Sequence, residues 1–368
     1  MDRPHRPPAA GRLRLARMTA GLPVADSMTG PGSGPHGVPA AIAVTPILSA
    51  RYRQADLERI SQSAPGSRLV TVSLEGLADG PLDDVEVLLR GPLPAPVFDR
   101  LLTRCPQLGW VHSATAGVDR VLTPTAAQRR LVITNARGVF SDPIAEYVLM
   151  MVLAVNRRLV QLLELQREHT WQPLDAIEMR DVTIGVVGFG SIGRAIARRA
   201  LSFGCRVVAT RRGGPEGADA ETDDPPDDGV RILPADALPE LLAESDFVVL
   251  ALPLTPDTED LFDGPMLARM KRGSWLINVA RGQLVDERTL VRALRDGPLR
   301  GAVLDTLRNE PLGPDSPLYD VPNLIVTPHT SWTSGRVLDR SIELFCQNLA
   351  RYQRGEPLHN AVDRTRGY

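Results

Sequence analysis

Between residues 41 and 134, short apolar runs rich in β-branched side chains alternate with stretches whose apolar positions recur at helical spacing. The runs occupy 41–44, 69–72, 85–89, 110–112 and 131–134. Strands separated by helices in this rhythm predict a parallel sheet. Ser141, Asp142 and Pro143 follow as a helix start: a capping hydroxyl, then proline in the first turn, with Glu146 where the helix dipole favours an acid. One long helix is predicted over 143–169. The rhythm resumes, more apolar than before, at 183–187, 206–209, 247–252, 275–279, 302–304 and 324–326. Strands apolar at nearly every position are covered on both faces. A last helical pattern, 334–354, is expected to return to the first half of the chain.

At 368 residues the chain is long enough for two domains, each with its own core. A net charge of -2, with no basic cluster interleaved with aromatics, argues against nucleic acid as a partner. Lys271 is the single lysine and sits in a polar turn, which leaves Schiff-base chemistry almost without a candidate. Cys105, Cys205 and Cys346 are odd in number, widely spaced and set in apolar patterns. They read as reduced core thiols of a cytoplasmic protein, with neither a disulfide framework nor a metal site expected. Residues 1–38 are rich in Pro, Gly, Arg and Ala without a continuous apolar core, so they read as a disordered extension and not as a signal peptide; Met18 and Met28 are alternative starts. The apolar helical run 148–155 is too short to span a bilayer, and no membrane partner is expected. Segment 213–229, acidic and carrying Pro225 and Pro226, reads as an exposed loop.

The run at 183–187 is followed by Gly188, Phe189, Gly190, Ser191, Ile192 and Gly193, and then by a helical pattern that stops at Gly204. GxGxxG between a strand and a helix is the Rossmann dinucleotide fingerprint in its required context. The glycines permit the tight turn and the close approach of pyrophosphate, and the helix start offers free N–H groups and a positive dipole. In NAD-specific folds an acid about 20 residues further on receives the ribose hydroxyls. Here that strand end carries Thr210, Arg211 and Arg212 instead. Two guanidiniums suit a 2′-phosphate, which favours NADP over NAD. The other reading of these arginines is a solvated surface turn, and Asp223 or Asp224 folding back toward the ribose would weaken the preference.

In open α/β sheets ligands bind beyond the carboxyl ends of the strands. The polar residues immediately after the apolar runs are Thr255 (following Pro253), Arg281, Asp305 with Glu310, and His329. At this point the chain resembles the D-isomer-specific 2-hydroxy acid dehydrogenases. The motifs are GFGSIG at 188–193, LPLT at 252–255, NVARG at 278–282, Val285 with Asp286, Leu304 with Asp305, EPL at 310–312 and TPH at 327–329. SATAGVD at 113–119 and NARGVFSDPIAE at 135–146 also match, so the resemblance covers roughly 41–360.

The resemblance implies an α/β protein of two doubly wound parallel-sheet domains. One is a flavodoxin-like substrate domain, 39–140 with 332–360, and the other a Rossmann domain, 141–331. It implies that Arg281 binds the substrate carboxylate, that His329 is the general acid for reduction of a 2-oxo acid to a D-2-hydroxy acid, and that Glu310 pairs with His329. These residue types suit the roles. An arginine fork matches a carboxylate, an imidazolium can protonate the oxygen on which charge builds, and a neighbouring carboxylate favours and orients the charged ring. Backbone N–H groups of Ala114, Thr115, Ala116, Gly117 and Val118 would help grip the acid. Leu252, Pro253, Thr258, Val279, Ala280 and Asp305 resemble positions around the cofactor. Glyoxylate, hydroxypyruvate or a longer 2-oxo acid are the substrates implied, and the carboxylate at Glu310 separates the chain from the formate dehydrogenase branch, which has glutamine there. A homodimer is implied through the helix from Pro143, by way of Met150, Met151, Leu153 and Val155. The alternative from another class is a nucleotide-sensing regulator of the same fold with little turnover.

Overall fold

The computed structural model describes residues 37–47, 52–214 and 228–364. The expected extension over 1–38 and the acidic loop over 213–229, with Asp223 and Asp224, lie almost wholly outside the described residues. The first sheet consists of β1 (Ala41–Val44), β2 (Arg68–Thr71), β3 (Val85–Arg90), β4 (Trp110–Ser113) and β5 (Val132–Thr134), interspersed with α1 (Gln54–Ser63), α2 (Ala95–Arg104) and α3 (Pro124–Ala127). Its strands are all parallel in the order β2-β1-β3-β4-β5, which is the flavodoxin-like winding.

Two helices, α4 (Ser141–Asn156) and α5 (Leu159–Arg167), lead into the second sheet. It runs β6 (Thr183–Val187), α6 (Ser191–Ser202), β7 (Arg206–Arg211), β8 (Val230–Pro234), α7 (Leu238–Glu244), β9 (Phe247–Leu250), α8 (Gly264–Leu267), β10 (Trp275–Asn278), α9 (Glu287–Asp296), β11 (Gly301–Leu304) and β12 (Leu324–Val326). The spatial order β12-β11-β10-β9-β6-β7-β8, all parallel, is the Rossmann order counted from β6 with one strand added at the end. The expected cover on both faces holds for β6, β9 and β11, which are buried at every position, but not for β12, an edge strand that is half-buried throughout. The closing helix α10 (Val337–Gln353) packs on α1 and sends Ile342, Phe345 and Leu349 into the core of the first sheet. Phe345 stacks on Trp110 with ring centroids 5.3 Å apart. Burying each such side chain contributes about 1.5–3 kcal/mol.

Three expectations about the helices need correction, and one strand is unexpected. The long helix over 143–169 is two helices, because Arg158 adopts the left-handed conformation (φ 56°) that ends a helix, after the cap residue Arg157. Ser141 does not cap it. Phe140, buried against Trp332, takes the N-cap place in a helical conformation, and the Ser141 hydroxyl is buried without a hydrogen bond among the described residues. Met151, expected on the exposed face, is buried in the core, whereas Met150 is exposed. Strand β8 carries no continuous apolar signal: it is a half-exposed edge strand, held by its ladder to β7.

Candidate active site

Because every strand is parallel, the carboxyl ends of all seven strands in the second sheet lie along one edge. On the interior strand β6 that edge is the glycine turn. Gly188 has φ 96°, and a Cβ there would lie 2.7 Å from the Ala251 carbonyl oxygen, so only glycine fits the turn. Gly190 is the N-cap of α6, which among the described residues no side chain caps, and a Cβ at Gly190 would meet none of their atoms within 4 Å. That open space beside uncapped helix N–H groups fits a dinucleotide pyrophosphate. Gly193 and the buried ring of Phe189 pack inward, with the Arg194 guanidinium 5.2 Å from the Phe189 ring, so from Phe189 only backbone is left to the turn. Ile192 is partly buried against the same core, and Ser191 is half-buried at the helix start.

The neighbouring β7 ends beside this turn, the Gly188 N–H donating to the Thr210 carbonyl at 3.2 Å. Thr210 is buried, Arg211 is half-buried with its Nε donating to the Gly214 carbonyl at 2.9 Å, and Arg212 is exposed. On the other side of β6, after β9, the Thr258 hydroxyl donates to the Pro253 carbonyl at 2.8 Å and accepts the Thr255 N–H at 2.8 Å, which closes the loop carrying Leu252 and Pro253. After β10, Asn278 pins the next turn by accepting the Ala280 N–H at 3.1 Å and donating to the Arg281 carbonyl at 2.8 Å, with Val279 buried beneath.

Arg281, Glu310 and His329 follow three adjacent strands, β10, β11 and β12, whose outer members lie about 10 Å apart at ordinary strand spacing. His329 Nδ1 meets Glu310 Oε2 at 2.9 Å, and Glu310 Oε1 accepts the Leu307 N–H at 2.8 Å. Partial burial pushes the Glu310 carboxyl up, but the hydrogen bonds from His329 and Leu307, together with the charges of His329 and Arg120, hold it below its ordinary value. With Nδ1 committed to Glu310, Nε2 is the ring nitrogen left for a substrate.

The histidine turn is itself clamped. His329 has φ 50°, a conformation that costs a non-glycine residue about 1–2 kcal/mol. Asp305, only 1% exposed, holds the turn: Oδ1 accepts the Thr327 hydroxyl at 2.6 Å and the Thr330 N–H at 2.9 Å, and Oδ2 accepts the Ser331 N–H at 2.9 Å. The Thr327 hydroxyl also meets the Tyr147 hydroxyl of α4 at 2.6 Å. Burial pushes the Tyr147 phenol up to about 12, opposed by the Thr327 bond and aided by the Asp305 charge.

The first sheet faces these residues with the loop after β4. Ala114 does not offer its N–H, which donates to the Arg90 carbonyl at 2.8 Å as the ladder runs on. The N–H groups of Thr115, Ala116, Gly117 and Val118 make no hydrogen bond among the described residues. Four such groups in succession are a ready-made grip for an anion. Gly117 abuts Arg281 from across the cleft: a Cβ there would lie 1.7 Å from Arg281 Nη2. Fully buried Arg90, at the end of β3, secures the loop by donating to the carbonyls of Leu93 at 2.8 Å and Arg120 at 2.9 Å.

Comparison with known proteins agrees with this fold. The family model for the D-isomer specific 2-hydroxyacid dehydrogenase NAD binding domain matches residues 149–331. A glyoxylate reductase of Korarchaeum cryptofilum is 33% identical over 314 residues, 84% of this chain and 90% of that one. The chain belongs to the D-isomer-specific 2-hydroxyacid dehydrogenase family. Two solved structures are similar to it. A D-isomer specific 2-hydroxyacid dehydrogenase from Xanthobacter autotrophicus, in complex with NADPH and MES, has a TM-score of 0.77 and 30% identity and covers 89% of this chain and 99% of its own. An NADPH-dependent glyoxylate/hydroxypyruvate reductase from Sinorhizobium meliloti, in complex with NADP and sulfate, has a TM-score of 0.76 and 27% identity and covers 89% of this chain and 100% of its own.

This 2-hydroxyacid dehydrogenase is accordingly an oxidoreductase of the NAD(P)-dependent class, acting on a 2-oxo acid and its hydroxy acid. Reading its sequence assigns no role to four residues of the site. Asp119, Arg120, Tyr147 and Thr327 all touch or face the groups above. Asp119 and Arg120 carry a signal in hindsight, two charges directly after a glycine turn at a strand end. Tyr147 carries none, because it reads as one more apolar position of a helix.

Proposed function

We propose that the protein reduces a small 2-oxo acid, glyoxylate or hydroxypyruvate, to the D-2-hydroxy acid with NADPH. The observation that carries this is the His329–Glu310 pair at 2.9 Å on the same sheet edge as Arg281, which lies against the unpaired N–H groups of the Gly117 loop. Arg281 binds the substrate carboxylate in bidentate fashion, and the N–H groups of residues 115–118 share its charge. When bound, the nicotinamide supplies the hydride to the carbonyl carbon. His329 gives its Nε2 proton to the carbonyl oxygen as negative charge builds there, and keeps its Nδ1–H on Glu310. The uncapped start of α6 and the space at Gly190 suit the pyrophosphate, and Arg211 with Arg212, beside that turn, suits a 2′-phosphate.

In this reading residues 39–140 with 332–360 form the substrate domain and 141–331 the cofactor domain. The chain works as a homodimer through the apolar surface of Met150, Leu159, Val160, Leu162, Leu163 and Phe203, all exposed. Its three unbridged thiols suit the cytoplasm. Loss of NADPH absorbance with glyoxylate and with hydroxypyruvate tests the activity, and His329→Ala should lower kcat about 100-fold or more. Hydroxypyruvate gives a chiral product, so L-glycerate would overturn the stereochemical part. NADPH binding without turnover across a panel of 2-oxo acids would favour a sensor instead. Light scattering at micromolar concentration that returns the monomer mass would refute the dimer.

A further inference from the structure

We propose that Asp119 is a positioning residue for the substrate: from across the cleft it holds the Arg281 guanidinium by one edge and leaves the outer edge to the substrate carboxylate. Asp119 Oδ1 accepts from Arg281 Nη2 at 3.0 Å and from Nε at 3.3 Å. Arg281 Nη1 donates to the Ala280 carbonyl at 2.8 Å. A guanidinium has five N–H bonds. Nε–H and the adjoining Nη2–H point to Asp119, and a carbonyl one residue away is reached by the Nη1–H that turns back toward the main chain. What remains is one N–H on each terminal nitrogen, parallel and directed outward, the pair that receives a carboxylate bidentately.

The substrate edge of Arg281 therefore depends on a residue 162 positions away in the chain. Without a partner on its inner edge, a long arginine side chain samples several rotamers and presents that outer edge only part of the time. Gly117, two residues before Asp119, lies against the same guanidinium, so one loop both offers the four unpaired N–H groups and sets the fork beside them. The side chains of Arg281 and Asp119 are 30% and 31% exposed. Their pairing is thus partly screened, and its effect falls between that of a surface ion pair and that of a buried charge-assisted bond, about tenfold in affinity.

This inference rests on the reading of Arg281 as the carboxylate ligand, and the experiment separates the two. Asp119→Asn, Asp119→Glu, Arg281→Lys and the Asp119→Asn, Arg281→Lys double variant are compared by steady-state kinetics with glyoxylate. The NADPH-loaded proteins are also titrated with oxalate, a carboxylate that cannot be reduced, by fluorescence. Asp119→Asn should raise KM and weaken oxalate about tenfold, with kcat changed less than about twofold and thermal stability retained. Asp119→Glu, which keeps the charge, should recover part of the loss. In the Arg281→Lys background, Asp119→Asn should add little. Unchanged or tighter oxalate binding in Asp119→Asn overturns the proposal, tighter binding meaning that Asp119 competes with substrate for the fork. A full additional loss in the Arg281→Lys background also overturns it, since Asp119 would then act elsewhere. If Arg281→Lys itself leaves KM and oxalate unchanged, the reading of Arg281 fails and takes the proposal with it.

Discussion

Asp305→Asn separates two jobs for the end of β11, holding the histidine turn or meeting the nicotinamide half of the cofactor. The wild-type carboxylate is buried and accepts three bonds, two on Oδ1 and one on Oδ2, all from residues 327–331. Asparagine has the same shape but turns one acceptor into a donor. Whichever way the amide lies, at least one buried N–H or O–H then faces another donor. Stranding such a group costs about 1–3 kcal/mol, and the surviving bonds lose their charge assistance. A total of about 2–4 kcal/mol is therefore expected in urea unfolding. The same loss frees a turn in which His329 is held at φ 50°, a conformation of the sparsely populated kind that persists only when its surroundings over-determine it. As the turn relaxes, the 2.9 Å contact between His329 and Glu310 loses occupancy, and kcat should fall about 10- to 100-fold. NADPH affinity, measured by fluorescence, should stay within about twofold. The reasoning is wrong if kcat at saturating NADPH is unchanged. It is equally wrong if the main effect is a weaker Kd for NADPH, which would assign the carboxylate to the cofactor.

Glu310→Gln should leave the fold intact while lowering kcat about tenfold or more, because the charge-assisted bond that orients the His329 ring is lost; an unchanged kcat would refute the pairing. In the wild type the Glu310 carboxyl is held below its ordinary value, so its contribution to stability is present above the carboxylate range and is lost as pH falls through the folded value; the Gln variant should lack that acid-side component of the unfolding curve. His112 is wholly buried, its Nδ1 2.8 Å from the Thr134 hydroxyl and its Nε2 unpartnered among the described residues, and burial pushes it from 6.5 down to about 3. The unfolded chain takes up a proton below 6.5 that the native ring refuses, so stability should fall on acidification, by about 2 kcal/mol at pH 5. His112→Gln should remove that part of the difference in urea unfolding between pH 7.5 and pH 5, and an identical pH dependence would count against it. Arg211→Asp combined with Arg212→Ala should shift the NADPH to NADH ratio of kcat/KM toward NADH by about tenfold or more; an unchanged ratio would leave these arginines as surface charge only.

The strands and helices were legible because their cause is local. A parallel strand buried on both faces must be apolar at nearly every position, so β6, β9 and β11 stand out before any contact is known. Where burial is partial the signal fades, as at the half-exposed edge strand β8, and a helix break at Arg158 leaves no mark in an apolar pattern that continues past it. Arg281, Glu310 and His329 could be singled out because a parallel sheet brings the residues after its strands to one edge, a consequence of topology alone. The clamp by Asp305 and Tyr147 and the grip of Asp119 on Arg281 are different in kind. They join residues 22, 180 and 162 positions apart, whose side chains meet only after the sheet has set its register and the loop after β4 has closed on the other half of the chain. Sequence periodicity reports which face of an element is buried. Which polar atoms find each other inside that burial is decided by distance in three dimensions, and it is those pairings that aim the guanidinium and the imidazole.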